Sequence, residues 1–230
     1  MKTVKLWTRN FRLVILASAI GTLGAIAGGF ALAFLVFDET GSTLASALIV
    51  AIQLLPYLLL PVLIAPFMDR LPRKSFLVAG DAANAILLAG MGMWLLFFDF
   101  SYVGYLAVSL LLACLGAADE LAFTSIYPEL IPEGAEQKGY AVSSMLYPVL
   151  KVIMTPLAAV LLDTLGVAWI LIAQSGLSLA AAVTESFIRL DETERKHRAP
   201  YSLRAWIDDI REAVQYLKKE RGLCSIYGYM

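Results

Sequence analysis

Charged side chains are scarce in this chain. They make up 16% of the 230 residues, whereas a soluble domain carries about 25%. Hydrophobic residues make up 60%, and the mean hydropathy is +0.74. The charges are also uneven, because residues 189–222 hold 16 of them and residues 1–188 hold only 21. This composition excludes a soluble enzyme, a disulfide scaffold and a disordered chain, and it predicts a membrane protein with several spans.

Residues for catalysis and metal binding are equally sparse. The single histidine, His197, lies in the charged segment, so a six-helix rhomboid protease would lack its intramembrane histidine. No G-x-x-x-x-G-K-[ST] or H-E-x-x-H motif occurs. Cys114 and Cys224 lie 110 residues apart and form no redox or metal motif. We therefore predict neither an enzyme nor a cofactor or metal site, although the membrane half of an exporter with a separate ATPase subunit stays conceivable.

Six apolar runs are each long enough to cross a bilayer of about 30 Å as a helix. The runs are continuous rather than alternating, which argues against strands, and an unpaired backbone is prohibitive in lipid. The sequence thus predicts an all-α membrane protein with a six-helix transmembrane bundle over residues 1–188. The predicted spans are 11–37, 44–66, 75–98, 102–127, 139–162 and 167–188.

Lysine and arginine predict the orientation of these spans. If the N-terminus is cytoplasmic, the cytoplasmic segments hold 17 of the 18 basic residues and the outer loops hold none. The net charge of −1 gives no basic field for nucleic acid. We therefore predict a multi-pass protein with its N-terminus in the cytoplasm and the lipid bilayer as its surroundings.

A charged linker follows the sixth run over residues 189–222. Its stretch 202–220 repeats apolar residues at helical spacing, which predicts an amphipathic helix on the membrane or against the bundle. Residues 223–230 are apolar and too short to span, like the start of a truncated seventh helix. We therefore expect the chain to be a fragment or a truncated product.

The segment between the second and third runs carries a recognisable motif. Residues 65–74 read A-P-F-M-D-R-L-P-R-K and resemble the signature G-x-x-x-D-R-x-G-R-[RK] of the major facilitator superfamily (MFS). Asp69, Arg70, Arg73 and Lys74 fall on its charged positions. Ala65 and Pro72 replace its two glycines. The segment 127–138 is similar to the loop that follows the fourth helix in efflux-type members, notably the branch with siderophore and macrolide exporters. The long linker resembles the connection between the two halves of the superfamily.

The resemblance implies that this chain is the N-terminal half of a secondary transporter. Two inverted three-helix repeats would form this half, and the C-terminal six-helix half is missing from the chain. It further implies alternating access driven by an ion gradient, with proton antiport exporting small amphipathic molecules such as drugs or siderophores. A bacterial inner membrane is the expected location. The charged motif would gate the cycle through ion pairs, and Asp81 would pair with Arg70, Arg73 or Lys74. The alternative is a regulatory membrane scaffold that does not transport.

Ionisable groups within the spans are candidates for a functional or structural role, because inserting a charge near the bilayer centre costs at least ~2.5–3.5 kcal/mol of free energy. Lys151 lies near the middle of the fifth span, and Asp119 and Glu120 lie in the fourth. We expect Lys151 to pair with one of these carboxylates, while the other couples proton entry, contacts substrate or only fixes helix packing. We interpret Glu185, near the end of the sixth span, as a surface carboxylate in reach of water.

Two further features concern packing and the substrate path. Gly24 and Gly28 form a G-x-x-x-G, which favours close helix approach. By the resemblance, the first and fourth helices line the path. The polar candidates on these two helices are Ser18, Thr22, Ser109 and Thr124.

Overall fold

The computed structural model of the protein describes residues 6–68 and 72–189, together with Arg211. The first two ranges form six α-helices, each long and apolar enough to cross a membrane, which confirms the predicted all-α fold and the number of spans. The helices are α1 Arg9–Thr40, α2 Thr43–Met68, α3 Arg73–Phe97, α4 Tyr102–Leu130, α5 Glu136–Leu165 and α6 Val167–Ser186. Asp69, Arg70, the predicted linker helix 202–220 and residues 223–230 lie outside the described residues.

Most helices extend a few residues beyond the predicted apolar runs at one or both ends, whereas α6 ends two residues before its run does. α1 begins after Thr8, whose hydroxyl accepts a hydrogen bond from Phe11 N at 3.2 Å. It ends at Gly41, which has the left-handed φ of 64° that favours glycine. A single residue, Gly166, joins α5 to α6 with φ of 77°. These short connections hold consecutive helices antiparallel, as the predicted spans require.

The helices differ strongly in burial. In their most apolar stretches α1 and α6 have 39% and 33% of residues buried, whereas α2 and α5 have 11% each. α6 packs between α1 and α3, α3 also contacts α4, and α2 and α5 pack on α4 and α1 respectively. α1, α3 and α6 therefore form the interior of the bundle, and α2 and α5 lie at its periphery.

Helix contacts repeat between the two halves of the chain. Exchanging α1 with α4, α2 with α5 and α3 with α6 turns the α1–α5 contact into the α2–α4 contact. The same exchange turns the α1–α6 contact into the α3–α4 contact. Each set of three helices thus makes the same pattern of helix pairs with the other set.

Candidate functional site

A central cavity of about 600 Å³ opens within the bundle, and all six helices contribute to its wall. α1 and α4 supply over half of its lining residues. Ser18, Thr22 and Ser109 lie in the wall. Thr124 does not, and its hydroxyl instead donates hydrogen bonds to backbone carbonyls of its own helix. The cavity falls within the range of about 300–1,000 Å³ typical of small-molecule sites.

The charged residues of this wall are all acidic. Within the described part of the chain no lysine, arginine or histidine lines the cavity. The four carboxylates come from three helices. They are Asp81 of α3, Asp119 and Glu120 of α4, and Glu185 of α6.

Three of these carboxylates form one group, which we call the carboxylate cluster: Asp81, Asp119 and Glu185. All three line the same cavity, and α3, which carries Asp81, packs on both α4 and α6. Asp119 packs against α3 at Gly80, the residue before Asp81, where a Cβ would be in ordinary van der Waals contact with Asp119 Oδ1 at 3.5 Å. Asp119 Oδ1 and Glu185 Oε2 are buried, and neither has a hydrogen-bond partner among the described residues. The fold therefore brings together three acidic groups that are 38 or more residues apart in sequence.

Glu185 differs from the sequence interpretation. Only 5% of the residue is exposed, so it is not a surface carboxylate. Its position near the end of α6 predicted contact with water. However, α6 packs between α1 and α3, and the side chain of Glu185 is buried in the bundle. A signal was present in the sequence, since Ser178, Ala181, Ala182 and Glu185 follow helical spacing and share the buried face of α6.

Arg73 and Lys74, the basic residues of the 2–3 motif that the structure describes, bind the ends of α4 and α6 rather than the carboxylate cluster. Arg73 Nη1 donates to Ser125 O at 2.7 Å and pairs with Glu129 Oε1 at 3.3 Å, which joins α3 to α4. Lys74 Nζ donates to Ser186 O at 2.6 Å, which joins α3 to α6.

Asp81 is therefore not paired with Arg73 or Lys74, two of its three expected partners. Within the described residues it has no ion-pair partner, and Arg70 lies outside them. Asp81 is about two turns further along α3 than Arg73, or roughly 12 Å. The ends of α4 and α6 offer the two basic side chains nearer acceptors, so the expected pairs with Arg73 and Lys74 do not form.

Lys151 also departs from its expected pairing. No ion pair joins it to Asp119 or Glu120 among the described residues. Its side chain is exposed on α5, and its ammonium lies 5.4 Å from the centre of the Tyr147 ring. α5 packs mainly on α1 rather than on α4, although α4 and α5 are consecutive. The cation consequently stands outside the cavity wall, one turn beyond Tyr147, which does line it.

The G-x-x-x-G of α1 has a specific neighbour in α6. The Gln174 side chain occupies the space above Gly28, where a Cβ would overlap its amide, and its Cγ lies close to Gly24. Gln174 reaches the cavity wall, and its Oε1 is buried without a hydrogen-bond partner in the described part of the chain. The two glycines thus admit a polar side chain from α6 into the wall.

Comparison with known proteins agrees with the motif and the bundle. No curated protein and no solved structure matches the chain. The family described as Major Facilitator Superfamily matches residues 13–229, which is nearly the whole chain. Its members are secondary transporters and not enzymes. On this match, and with six helices suited to crossing a membrane, the chain belongs to the major facilitator superfamily.

Proposed function

We propose that this protein exports small amphipathic molecules, such as drugs or siderophores, by proton antiport through alternating access. The observation that carries the proposal is the central cavity, whose wall is supplied mainly by α1 and α4 and contains four carboxylates. A carboxylate inside a membrane-spanning bundle can take up and release a proton, which is the requirement for coupling to a proton gradient. Asp119 and Glu120 both line the cavity and are the proposed coupling or substrate groups.

The proposed architecture is a pair of inverted three-helix repeats. Support comes from the contacts, because the exchange of α1–α3 with α4–α6 maps the main helix pairs onto one another. Repeats of this kind place the substrate site at their interface. The cavity between the two sets of helices agrees with that position.

The proposed location is a bacterial inner membrane with a cytoplasmic N-terminus. The two ends of the bundle carry opposite charge, which supports this orientation under the positive-inside rule. Among the described residues, basic side chains lie at the end where α1 begins, and the charged side chains of the loops at the far end are all acidic. The basic residues are Arg9, Arg12, Arg73, Lys74, Lys138 and Arg189, and the acidic residues of the far end are Asp38, Glu39, Asp99 and Asp163.

The 2–3 motif is proposed to hold one conformation of the transport cycle. Arg73 and Lys74 tie the start of α3 to the ends of α4 and α6 through charge-assisted hydrogen bonds. Bonds at helix ends can form in one state and break in another, which makes them suitable for gating. Asp69 and Arg70 complete the motif in sequence.

The test is transport by the purified protein in liposomes with an imposed pH gradient. We expect uphill movement of a fluorescent amphipathic dye, which stops when a protonophore collapses the gradient. Two dyes of similar size, one cationic and one uncharged, keep the test independent of substrate charge. Movement that a protonophore does not affect would contradict proton coupling. No movement of either dye, with protein correctly inserted, would favour the scaffold function instead.

A further inference from the structure

We propose that the cavity takes an amphipathic organic cation as its substrate, and that the carboxylate cluster of Asp81, Asp119 and Glu185 forms the wall that selects it. This inference rests on the proposed export function and adds the charge of the substrate. It assigns a role to Glu185 and Asp81 that the motif of the 2–3 loop does not provide.

The first observation that supports a cationic substrate is the charge of the cavity wall. Four carboxylates line the cavity, and among the described residues no basic side chain accompanies them. Several like charges in one enclosed site of low dielectric repel each other and strongly attract a cation. An anionic substrate would meet repulsion from every charged group in this wall.

The second observation is that the cluster contains no ion pair among the described residues. At the same end of the bundle, Arg73 and Lys74 bind backbone carbonyls and Glu129 instead. Lys151 stands outside the wall, over the Tyr147 ring. A buried charge without a partner is costly. A proton can neutralise such a carboxylate, as proton antiport requires, and a cationic ligand that replaces the proton would balance the cluster in the same place.

The spacing of the acidic groups indicates the size of that ligand. In the described part of the chain no three His, Cys, Asp or Glu side chains are close enough to hold a metal ion. The carboxylates instead face a cavity of about 600 Å³. A larger cation with its charge spread over an organic body suits such a site better than a compact inorganic ion.

Other groups in the wall point to a ligand independently of the carboxylates. Ser109 is 1% exposed, and its hydroxyl has no hydrogen-bond partner among the described residues. Gln174 Oε1 is likewise buried and unpartnered, and both residues line the cavity. Buried polar atoms without partners are uncommon in folded proteins. The rings of Tyr57, Phe123 and Tyr147 add apolar surface that can also contact a cation.

The experiment compares two probes of the same shape and opposite charge, tetraphenylphosphonium and tetraphenylborate. Equilibrium binding of each is measured on the purified protein in detergent, with protein-free micelles as the background. We expect saturable binding of tetraphenylphosphonium and at least about tenfold weaker binding of tetraphenylborate. Equal binding of both probes, or preference for the borate, would overturn the inference.

Variants then locate the site. Asp119→Asn and Glu185→Gln should each weaken tetraphenylphosphonium binding at least about tenfold, whereas Asp163→Asn should leave it unchanged. Asp163 is a matched control because it is exposed at the far end of α5. Size-exclusion chromatography checks that each variant is folded. If one of the two cluster variants does not fold, the other still tests the assignment. Unchanged affinity in a folded cluster variant would refute the assignment.

Failure of this inference is distinguishable from failure of the export function. Binding is measured without a gradient, so a selective cation site can exist in a protein that does not transport. Conversely, gradient-driven export of the uncharged dye without tetraphenylphosphonium binding would support the transporter and overturn the cation site.

Discussion

α3 and α6 run antiparallel along a shared contact that has two different halves. Towards the far end Gly92 lies against the backbone of α6, where a Cβ would stand 2.9 Å from Ala168 O. Where the two halves meet, Ser175 Oγ donates to Ala85 O at 2.7 Å. Towards the 2–3 loop the same helices present Asp81 and Glu185, which have no ion-pair partner among the described residues.

The comparison distinguishes polar side chains that hold the two helices together from polar side chains that line the cavity. The far half is tightly packed at Gly92, and the Ser175 hydroxyl at its inner boundary is hydrogen-bonded. A fixed helix contact in a membrane requires both close packing and paired polar groups. The near half places buried acidic oxygens around a cavity, and Glu185 Oε2 has no hydrogen-bond partner in the part of the chain that the structure describes. Because an unpaired buried charge destabilises a fold, its presence here suggests a function that compensates for the cost.

The largest expected effect comes from filling the tight half. In Gly92→Leu the side chain has no space against Ala168 O and Ile172. Overpacking of this kind costs about 3 kcal/mol. We expect the melting temperature in detergent to fall by about 6–12 °C. Gly90→Leu is the control, since nothing lies within 4 Å of a Cβ at Gly90. Equal losses in the two variants would contradict the close contact between α3 and α6.

The second prediction concerns the bonds at the loop end of α3. Arg73→Gln removes the charge that bonds Ser125 O and Glu129. Under the gating hypothesis, transport should fall at least about tenfold, while tetraphenylphosphonium affinity stays within about threefold. Arg12→Gln is the control, because Arg12 is exposed on α1. Parallel loss of binding and transport would show that Arg73 acts on the fold or the cavity rather than on the cycle.

A third prediction applies the same substitution to two glutamates. Glu185→Gln removes a buried, unpartnered carboxylate, so we expect the melting temperature to rise by about 2–4 °C, equivalent to roughly 1 kcal/mol. Glu129 is 44% exposed and paired with Arg73. Glu129→Gln should lower the melting temperature slightly, since exposed ion pairs contribute about 0–1 kcal/mol. Thermal unfolding of both variants measures the difference. Shifts of the same sign would remove the distinction between the two carboxylates.

The smallest effect is expected at Lys151. Its ammonium lies outside the cavity wall and over the Tyr147 ring. Lys151→Met should therefore change tetraphenylphosphonium affinity by less than about twofold. A large gain in affinity would show that Lys151 repels the cation and belongs to the site.

Features that depend on neighbouring residues in the chain were predictable. Each span is a continuous apolar run, and a helix satisfies its own backbone hydrogen bonds, so the number and type of elements followed from local composition. The motif of the charged 2–3 segment was likewise recognisable from the sequence, because its residues are contiguous. Asp119 was a candidate for the same reason, since an ionisable residue inside an apolar run is conspicuous.

Features that depend on which helices meet were not predictable. Lys151 was expected to pair across α4 and α5 because these helices are consecutive, but α5 packs mainly on α1. Glu185 was expected near water because it lies close to a helix end, but the packing of α6 buries it. Both errors have one cause, since a neighbour along the chain was taken as a neighbour in space.

The amino-acid sequence by itself determined six membrane-spanning helices, their charge asymmetry and the family motif, because each is a property of a short contiguous segment. Only the tertiary structure decided that Asp81, Asp119 and Glu185 share one cavity wall and that Gly92 closes the α3–α6 contact. The physical reason is that these groupings depend on the neighbours and rotation of each helix. Packing between distant segments determines both, and local hydropathy does not encode them.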